Sequence, residues 1–191
     1  MWKNEMAKQY VKIDTEYNDK DRIDFFKKFV EGKKVLHVGF VDYPKPRPWK
    51  SLHLQLSPFC EVLDGVDPNV DIAEELVVKN GKFFKDWTDI KNEYDVILVP
   101  EVIEHVDNVK EFLQTFDNYS GILIITAPDA YLLQHHFKMM DNNIFQEFVH
   151  ADHKCWYSPY TLTNTINTCS KTRKVQSLHW LSKQSICAVC Y

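Results

Sequence analysis

Residues 94–106 read Tyr94-Asp95-Val96-Ile97-Leu98-Val99-Pro100-Glu101-Val102-Ile103-Glu104-His105-Val106. The apolar run Val96 to Pro100 has no polar residue in alternation, which describes a strand buried on both faces, as in a parallel sheet covered by helices on each side. Ile122-Leu123-Ile124-Ile125, entered from Gly121, repeats the pattern. Both runs are far shorter than the ~20 residues of a membrane-spanning helix. Working outward, strands are expected near 34–39, 61–67, 82–86, 94–99 and 121–126, alternating with helical periodicity over 49–59, 69–79 and 107–118. Asp107 or Asn108 would cap the last of these helices, with Val109, Phe112, Leu113 and Phe116 on one face. Such βαβ alternation predicts helices on both faces of a mostly parallel sheet.

The two ends complete the plan. A polar leader to about residue 19 precedes Asp21 to Val30, where Ile23, Phe25, Phe26, Phe29 and Val30 form an apolar stripe at helical spacing that Gly32 stops. Residues 1–32 thus read as leader and docking helix. After Ala127-Pro128 the segment 131–149, rich in aromatic, His and Met residues, reads as helix-like, and a further helix begins near Ser158. Alternating segments 173–180 and 184–190 predict a C-terminal antiparallel hairpin.

Composition narrows the function. The 191 residues suit one domain, and 45% hydrophobic with 26% charged residues excludes a disordered chain. Lys and Arg number 23 against 27 Asp and Glu, a net charge of −4, so nucleic acid is not the default partner. Five cysteines, an odd number, with no apolar signal core at the start, point to a reducing, cytoplasmic setting and to no membrane. Cys187-Ala188-Val189-Cys190 has zinc-ligand spacing, but on a strand its two thiols would face opposite ways. There are only 5 glycines; average usage of about 7% would give roughly 13, so any phosphate or cofactor loop must use few of them.

In an open parallel sheet, ligands bind beyond the carboxyl ends of the strands where strand order reverses. The first strand ends Val35-Leu36-His37-Val38-Gly39-Phe40-Val41-Asp42, the second Gly65-Val66-Asp67-Pro68, the third Lys85-Asp86-Trp87. Asp67 stands where a ribose diol would hydrogen-bond, although acids there also serve as plain caps. A G-x-G-x-x-G loop is absent, and Gly39 to Asp67 exceeds the ~20 residues of a dinucleotide fold, which argues against a nicotinamide cofactor.

The set VLHVG, GVDPN, YDVILVPEVIEHV and GILIITAPDA, in this order and spacing, resembles motifs I, II, IV and V of class I S-adenosylmethionine-dependent methyltransferases over residues 34 to about 130. The stretch His153-Lys154-Cys155-Trp156-Tyr157-Ser158-Pro159-Tyr160-Thr161-Leu162 is similar to a segment following motif V in small O-methyltransferase-like members. The resemblance implies a Rossmann-like methyltransferase sheet in a single domain. It implies that Val38, Gly39 and Phe40 pass under the methionine part of S-adenosylmethionine, that Asp67 and Pro68 hold the ribose, and that Asp86 and Trp87 flank the adenine. Pro100 and Glu101 would border the sulfonium. Residues 131–160 would form an acceptor cap, and Tyr10 and Tyr17 of the leader could fold over the cofactor. Two departures mark this chain: His37 replaces the usual acid of motif I, and Gly39 is followed by Phe40-Val41-Asp42-Tyr43 and a loop carrying Pro44, Pro46 and Pro48. A glycine-poor subset of the family has a similar Trp49-Lys50-Ser51-Leu52-His53 continuation.

Glu101, Glu104 and His105 fall at i, i+3 and i+4, one face of a helix, where with His153 and His150 they could hold a hard divalent cation such as Mg. E-x-x-E-H with a later D-H-K resembles metal-assisted 2′-O-methyltransferases of small-RNA 3′ ends, and ubiquinone-pathway O-methyltransferases carry the first element too. In those families the ion holds the acceptor hydroxyl. The plainer alternative gives the Glu and His only caps and hydrogen bonds. Without metal, His105 or His153 would be the base, with Glu101 beside the acceptor. The expected reaction is O-methylation of a small hydroxylated metabolite or sugar. An RNA 3′ end and a non-catalytic methyltransferase-like binding module are the rivals.

Overall fold

The computed structural model describes residues 8–42 and 44–191. Helix α1 (Arg22–Val30) starts at Asp21, whose carboxylate accepts from the Ile23 N–H at 2.9 Å, and is followed by a left-handed Gly32. Strand β1 (Lys34–Val38), the short helix α2 (Leu52–Leu56), β2 (Val62–Val66), a two-residue β3 (Phe83–Phe84), β4 (Val96–Pro100), α3 (Val109–Thr115) and β5 (Ile122–Pro128) follow. Next come a hairpin of β6 (Phe137–Met140) and β7 (Ile144–Glu147), helix α4 (Pro159–Cys169), and β8 (Val175–Leu181) with β9 (Ser185–Cys190). Seven strands form one sheet in the order β3-β2-β1-β4-β5-β9-β8, parallel except for β9 and β8. The Rossmann-like α/β expectation holds, and so does the C-terminal antiparallel pair.

Each face of the sheet carries its own core. On one, Phe25, Phe26 and Val30 of α1 and Leu52 and Leu56 of α2 pack on Val35, Val96, Leu98, Ile124 and Val189. On the other, Leu113 of α3 and Leu162 and Ile166 of α4 pack on Leu36, Ile97, Val99, Leu123 and Ile125. The alternation along each strand is the period of two that side chains must follow in an extended chain. Cys187 belongs to the first core and Cys190 to the second, as the strand period requires. Asp14, from the leader, hydrogen-bonds β8 on both sides, accepting from Trp180 N–H at 2.9 Å and donating to the Leu178 carbonyl at 2.8 Å, which blunts that sheet edge.

Several expected elements differ. Residues 69–79 form only 3₁₀ turns, Val70–Ile72 and Glu74–Leu76, because Val70, Ile72, Val77 and Val78 are β-branched and disfavour a sustained helix. The expected helix over 49–59 is α2 between two 3₁₀ turns, Pro48–Lys50 and Ser57–Phe59. Residues 131–149 are not helical beyond the 3₁₀ turn Gln134–His136; Asn142 and Asn143 take left-handed backbone and fold the rest into the β6–β7 hairpin. Asn108 caps α3, accepting from the Glu111 N–H at 3.3 Å. Residues 1–7 of the leader and Tyr43 of the loop lie outside the described residues.

Asp117 staples the end of α3 to the turn before β8, accepting from Ser170 Oγ at 2.5 Å, from the Lys171 and Thr172 N–H groups at 3.1 Å each and from Thr172 Oγ1 at 2.9 Å. Desolvation opposes them, but these bonds together bring its pKa down to about 2. Because the folded value lies below the unfolded one, this stabilisation is present above the ordinary carboxylate pKa and is lost as pH falls through about 2. Asp117→Asn should cost about 1 kcal/mol near neutral pH, after allowance for solvent screening. In thermal melts its deficit against wild type should shrink steadily below pH 4.

Candidate active site

Strand order reverses between β1 and β4, and a cleft of about 650 Å³ opens over their carboxyl ends. Its floor begins at Gly39. Gly39 has φ +68°, and a Cβ there would lie 2.4 Å from Val102 Cγ2, so glycine is needed both for the left-handed turn and for the close approach of the segment after β4. Directly after Gly39, Phe40 turns its ring down across Gly65, which has no Cβ to obstruct it, and packs 4.5 Å from Phe83 and 4.8 Å from His53. The ring is only 5% exposed, so the bulky residue goes mainly into packing rather than into the cleft. His37, in place of the motif I acid, is buried with its Nδ1 3.3 Å from His53 Nδ1. Burial lowers both pKa values, His53 to about 4, so one imidazole donates to the other and neither carries charge near neutral pH.

Asp67 closes the loop from the second strand. Its Oδ2 accepts from the Val41 N–H at 3.0 Å and its Oδ1 from the Asn69 N–H at 2.8 Å. Burial raises its pKa, against the pull of those bonds. Asp67 and Pro68 line the cleft with Gly39, Phe40, Pro100 and Glu101. Val38 lies below, in the core. Asp86 and Trp87 are not among the lining residues. Asp86 accepts from the Thr88 N–H at 2.8 Å to cap the 3₁₀ turn Trp87–Asp89, and Trp87 packs edge-on against Phe116 at 5.3 Å. Tyr10 is exposed and Tyr17 packs on Phe25, so neither lines the cleft.

The segment after β4 is not the expected helix. Glu101 sits in left-handed backbone at φ 53°, and only Ile103–His105 form a 3₁₀ turn. A non-glycine residue there stores strain of order 1–3 kcal/mol. Glu101 consequently turns toward β5, where its Oε1 accepts from Thr126 Oγ1 at 2.6 Å. Its pKa is raised by burial, while Thr126 and Ser185 hydroxyls and the Arg22 charge pull the other way.

Glu104, His105 and His153 do converge, each offering a ligand atom within 4.8 Å of the others. His105 Nε2 lies 3.8 Å and His153 Nε2 4.0 Å from Glu104 Oε1. The Lys154 N–H, donating to the Glu104 carbonyl at 2.8 Å, fastens the incoming loop. Glu104 is 1% exposed, and neither carboxylate oxygen has a hydrogen-bond partner among the described residues. Burial, reinforced by Glu101, pushes its pKa up to about 9. Asp64, equally buried, shows what a structural acid looks like: it accepts from Lys82 N–H at 2.7 Å, Asn92 Nδ2 at 3.0 Å and Tyr94 Oη at 2.7 Å. A buried carboxylate without partners, facing two imidazoles, has the donor chemistry of a cation site.

Asp152, the first residue of the D-H-K stretch, was given no role from the sequence. It stands 3.1 Å from His105 Nδ1, contacts His150, and forms a second candidate triad with both. His150-Ala151-Asp152-His153 held the signal, an acid between two histidines one and two positions away. Arg22, Arg47 and Lys50 also line the cleft and were given no role from the sequence. A second hollow of about 580 Å³, between residues 18–22 and the turn 181–185, shares only Arg22 with it.

The sequence matches the family described as a methyltransferase domain over residues 10–168. No curated protein matches the chain. Among solved structures, a S-adenosylmethionine-dependent methyltransferase from Mesorhizobium loti is similar at TM-score 0.58 and 7% identity, covering 88% of this chain and 94% of that one. Magnesium protoporphyrin IX methyltransferase from Synechocystis, with bound S-adenosylhomocysteine, gives TM-score 0.59 at 13% identity over 88% and 80% of the two chains. An N-methyltransferase from Bradyrhizobium japonicum gives 0.52 at 10% identity over 88% and 93%. At these identities the likeness is one of fold.

Gly39→Ala should cost at least about 2 kcal/mol, the left-handed penalty plus the Val102 clash. Gly32→Ala shares a φ near +67° but meets nothing within 4 Å, so it should cost only the backbone part, about 1 kcal/mol. Paired thermal melts measure the difference.

Proposed function

The chain belongs to the methyltransferase domain family and is an S-adenosylmethionine-dependent enzyme, and from that premise we propose that it methylates a hydroxyl of a small acceptor with the help of a divalent cation. The observation that carries the reading is Glu104, buried and unpartnered, facing His105 and His153. Glu104, His105 and His153 would hold the cation, with Asp152 and His150 at its outer side. Two imidazoles in the set favour a first-row transition ion such as Mn²⁺, Fe²⁺, Co²⁺ or Zn²⁺ over Mg²⁺, which prefers oxygen ligands. When bound, the cation would lower the pKa of the acceptor hydroxyl, and S-adenosylmethionine would present an electrophilic methyl on a sulfonium.

The chain's own residues have separable tasks. Gly39 gives the cofactor a floor without a side chain. Asp67, whose two oxygens each keep one bond to the loop, has lone pairs left for a ribose diol. Arg22, beside Glu101, suits the amino-acid carboxylate. Transfer is an in-line displacement in which the acceptor oxygen bonds the methyl carbon as the carbon–sulfur bond breaks and sulfur keeps the electron pair. Much of the acceleration comes from holding oxygen and methyl in line. The hydroxyl proton goes to His150, the imidazole of the cluster not assigned to the ion, and Asp152, in contact with it, would stabilise the resulting positive charge. Phe40, tucked over Gly65, leaves the cleft open, which favours catalysis over a merely scaffolding role.

In metal-stripped protein, added Mn²⁺ should raise the melting temperature of wild type but not of Glu104→Gln. The same variant and His153→Ala should lose methyl transfer by about 10²-fold or more while S-adenosylhomocysteine affinity, read by calorimetry, changes little. Full transfer by both variants, with no metal response in wild type, would remove the cation from the reading. Absence of S-adenosylhomocysteine binding would remove the assignment of Gly39 and Asp67.

A further inference from the structure

The cleft has a second chemical character that methyl transfer to a neutral alcohol leaves unused. Residues 44–50, Pro44-Lys45-Pro46-Arg47-Pro48-Trp49-Lys50, form the rim that follows the Gly39 turn. Prolines at alternate positions fix φ and keep this segment from collapsing onto the sheet. Pro48 opens the 3₁₀ turn Pro48–Lys50, closed by the Lys50 N–H donating to the Arg47 carbonyl at 2.8 Å. Arg47 thus immediately precedes the turn that Lys50 ends. Both line the cleft. Trp49, between them in sequence, is 75% exposed.

Among the described residues neither Arg47 nor Lys50 has a carboxylate within 4.0 Å, and neither side chain makes a hydrogen bond. Acids outnumber bases in this chain, so two adjacent cations without a partner are not a matter of supply. Both are exposed cations at the mouth of the cleft, and an anion seated there would be attracted by both. Asp42 and Asp67 line the same cleft, but Asp67 is engaged by the Val41 and Asn69 N–H groups and Asp42 makes no ion pair with either cation. S-adenosylmethionine has a single carboxylate and no phosphate, and Arg22 is available for it.

We infer that Arg47 and Lys50 bind a phosphate carried by the acceptor, so that the substrate is a phosphorylated sugar, as a sugar phosphate or a nucleotide-linked sugar. The inference rests on the methyl-transfer reading of the same cleft. A guanidinium fork and an ammonium group together match a tetrahedral oxyanion. The same cleft supplies the acid–histidine cluster for the sugar hydroxyl. An RNA chain fits less well: the net charge is −4, and duplex or strand binding needs a longer basic track than two residues. The acceptor would accordingly be supplied by a phosphoryl-transfer or nucleotidyl-transfer reaction.

The test is calorimetric titration of the S-adenosylhomocysteine complex with a panel of hexose 1-phosphates, UDP-hexoses, the matching free hexoses and a short single-stranded RNA. A phosphorylated member should bind at least about tenfold more tightly than its free sugar, with affinity falling as salt rises from low to moderate ionic strength. Arg47→Ala and Lys50→Ala should each weaken that member about tenfold or more, with melting temperature and S-adenosylhomocysteine affinity kept. Equal binding of free and phosphorylated sugars, no binding by any phosphorylated member, unchanged binding in both variants, or preference for the RNA would each overturn the inference. Failure of wild type to bind S-adenosylhomocysteine would instead strike the reading on which it rests.

Discussion

Parallel strands can be joined only by crossovers, and crossovers of one hand put the connections of β1 and β4 on opposite faces of the sheet. That constraint is visible in the two cores, α1 and α2 on one face, α3 and α4 on the other. Between the ends of β1 and β4 no connection can cover the sheet, and the cleft is what remains. The features of the site follow from how two chain segments leave that gap. Gly39 bends left-handed to clear Val102, and Glu101 bends left-handed to reach Thr126. Glycine makes the first turn without steric cost, Glu101 makes the second at a cost in backbone energy, and each is held by contacts with a neighbouring strand.

The remaining question at such an edge is where buried polar groups find partners. Asp64 and Asp67 find them in backbone and side-chain donors, and His37 and His53 find each other. Glu104 does not, although it is as buried as Asp64. Leaving a carboxyl group dry and unpaired costs several kcal/mol if it is charged, so it takes up a proton unless a cation arrives. His105 and His153 are close by but not hydrogen-bonded to it, and burial lowers the pKa of His153. An ion would answer all three groups at once.

Much of this was readable in the sequence because it rests on strong local signals. The unbroken apolar runs at 96–100 and 122–125 placed the central strands within two residues, and the alternation at the C-terminus placed the hairpin. What failed did so where local preference is weak. The helix expected over 69–79 had apolar spacing, but its β-branched residues settled for 3₁₀ turns. Residues 131–149 turned on two consecutive asparagines whose left-handed backbone no periodicity reveals. At the site, Glu104, His105 and His153 were legible by type and came together. Their expected helical spacing was the wrong reason, since Glu101 departs from the group at its left-handed turn and Asp152 enters from another loop. Asp86 and Trp87 were assigned by resemblance; Asp86 caps the turn Trp87–Asp89 and Trp87 packs on Phe116.

The two charge types within the cleft bear on each other. Arg and Lys side chains are long and flexible, and an acid within reach would be expected to capture them at small cost. Here Arg47 and Lys50 stay apart from Glu104 and Asp152, although all four line one cleft. What separates them is backbone: a proline-braced turn on one side and, on the other, a loop fastened by the Lys154 N–H to the Glu104 carbonyl. Neutralising the two sets through each other would collapse the space between them, so a cleft that keeps them apart suits a ligand bearing both an anion and a hydroxyl. A neutral metabolite would satisfy only the acid–histidine side, and a bare phosphate only the cationic rim. Phosphate and sugar hydroxyl on one molecule satisfy both.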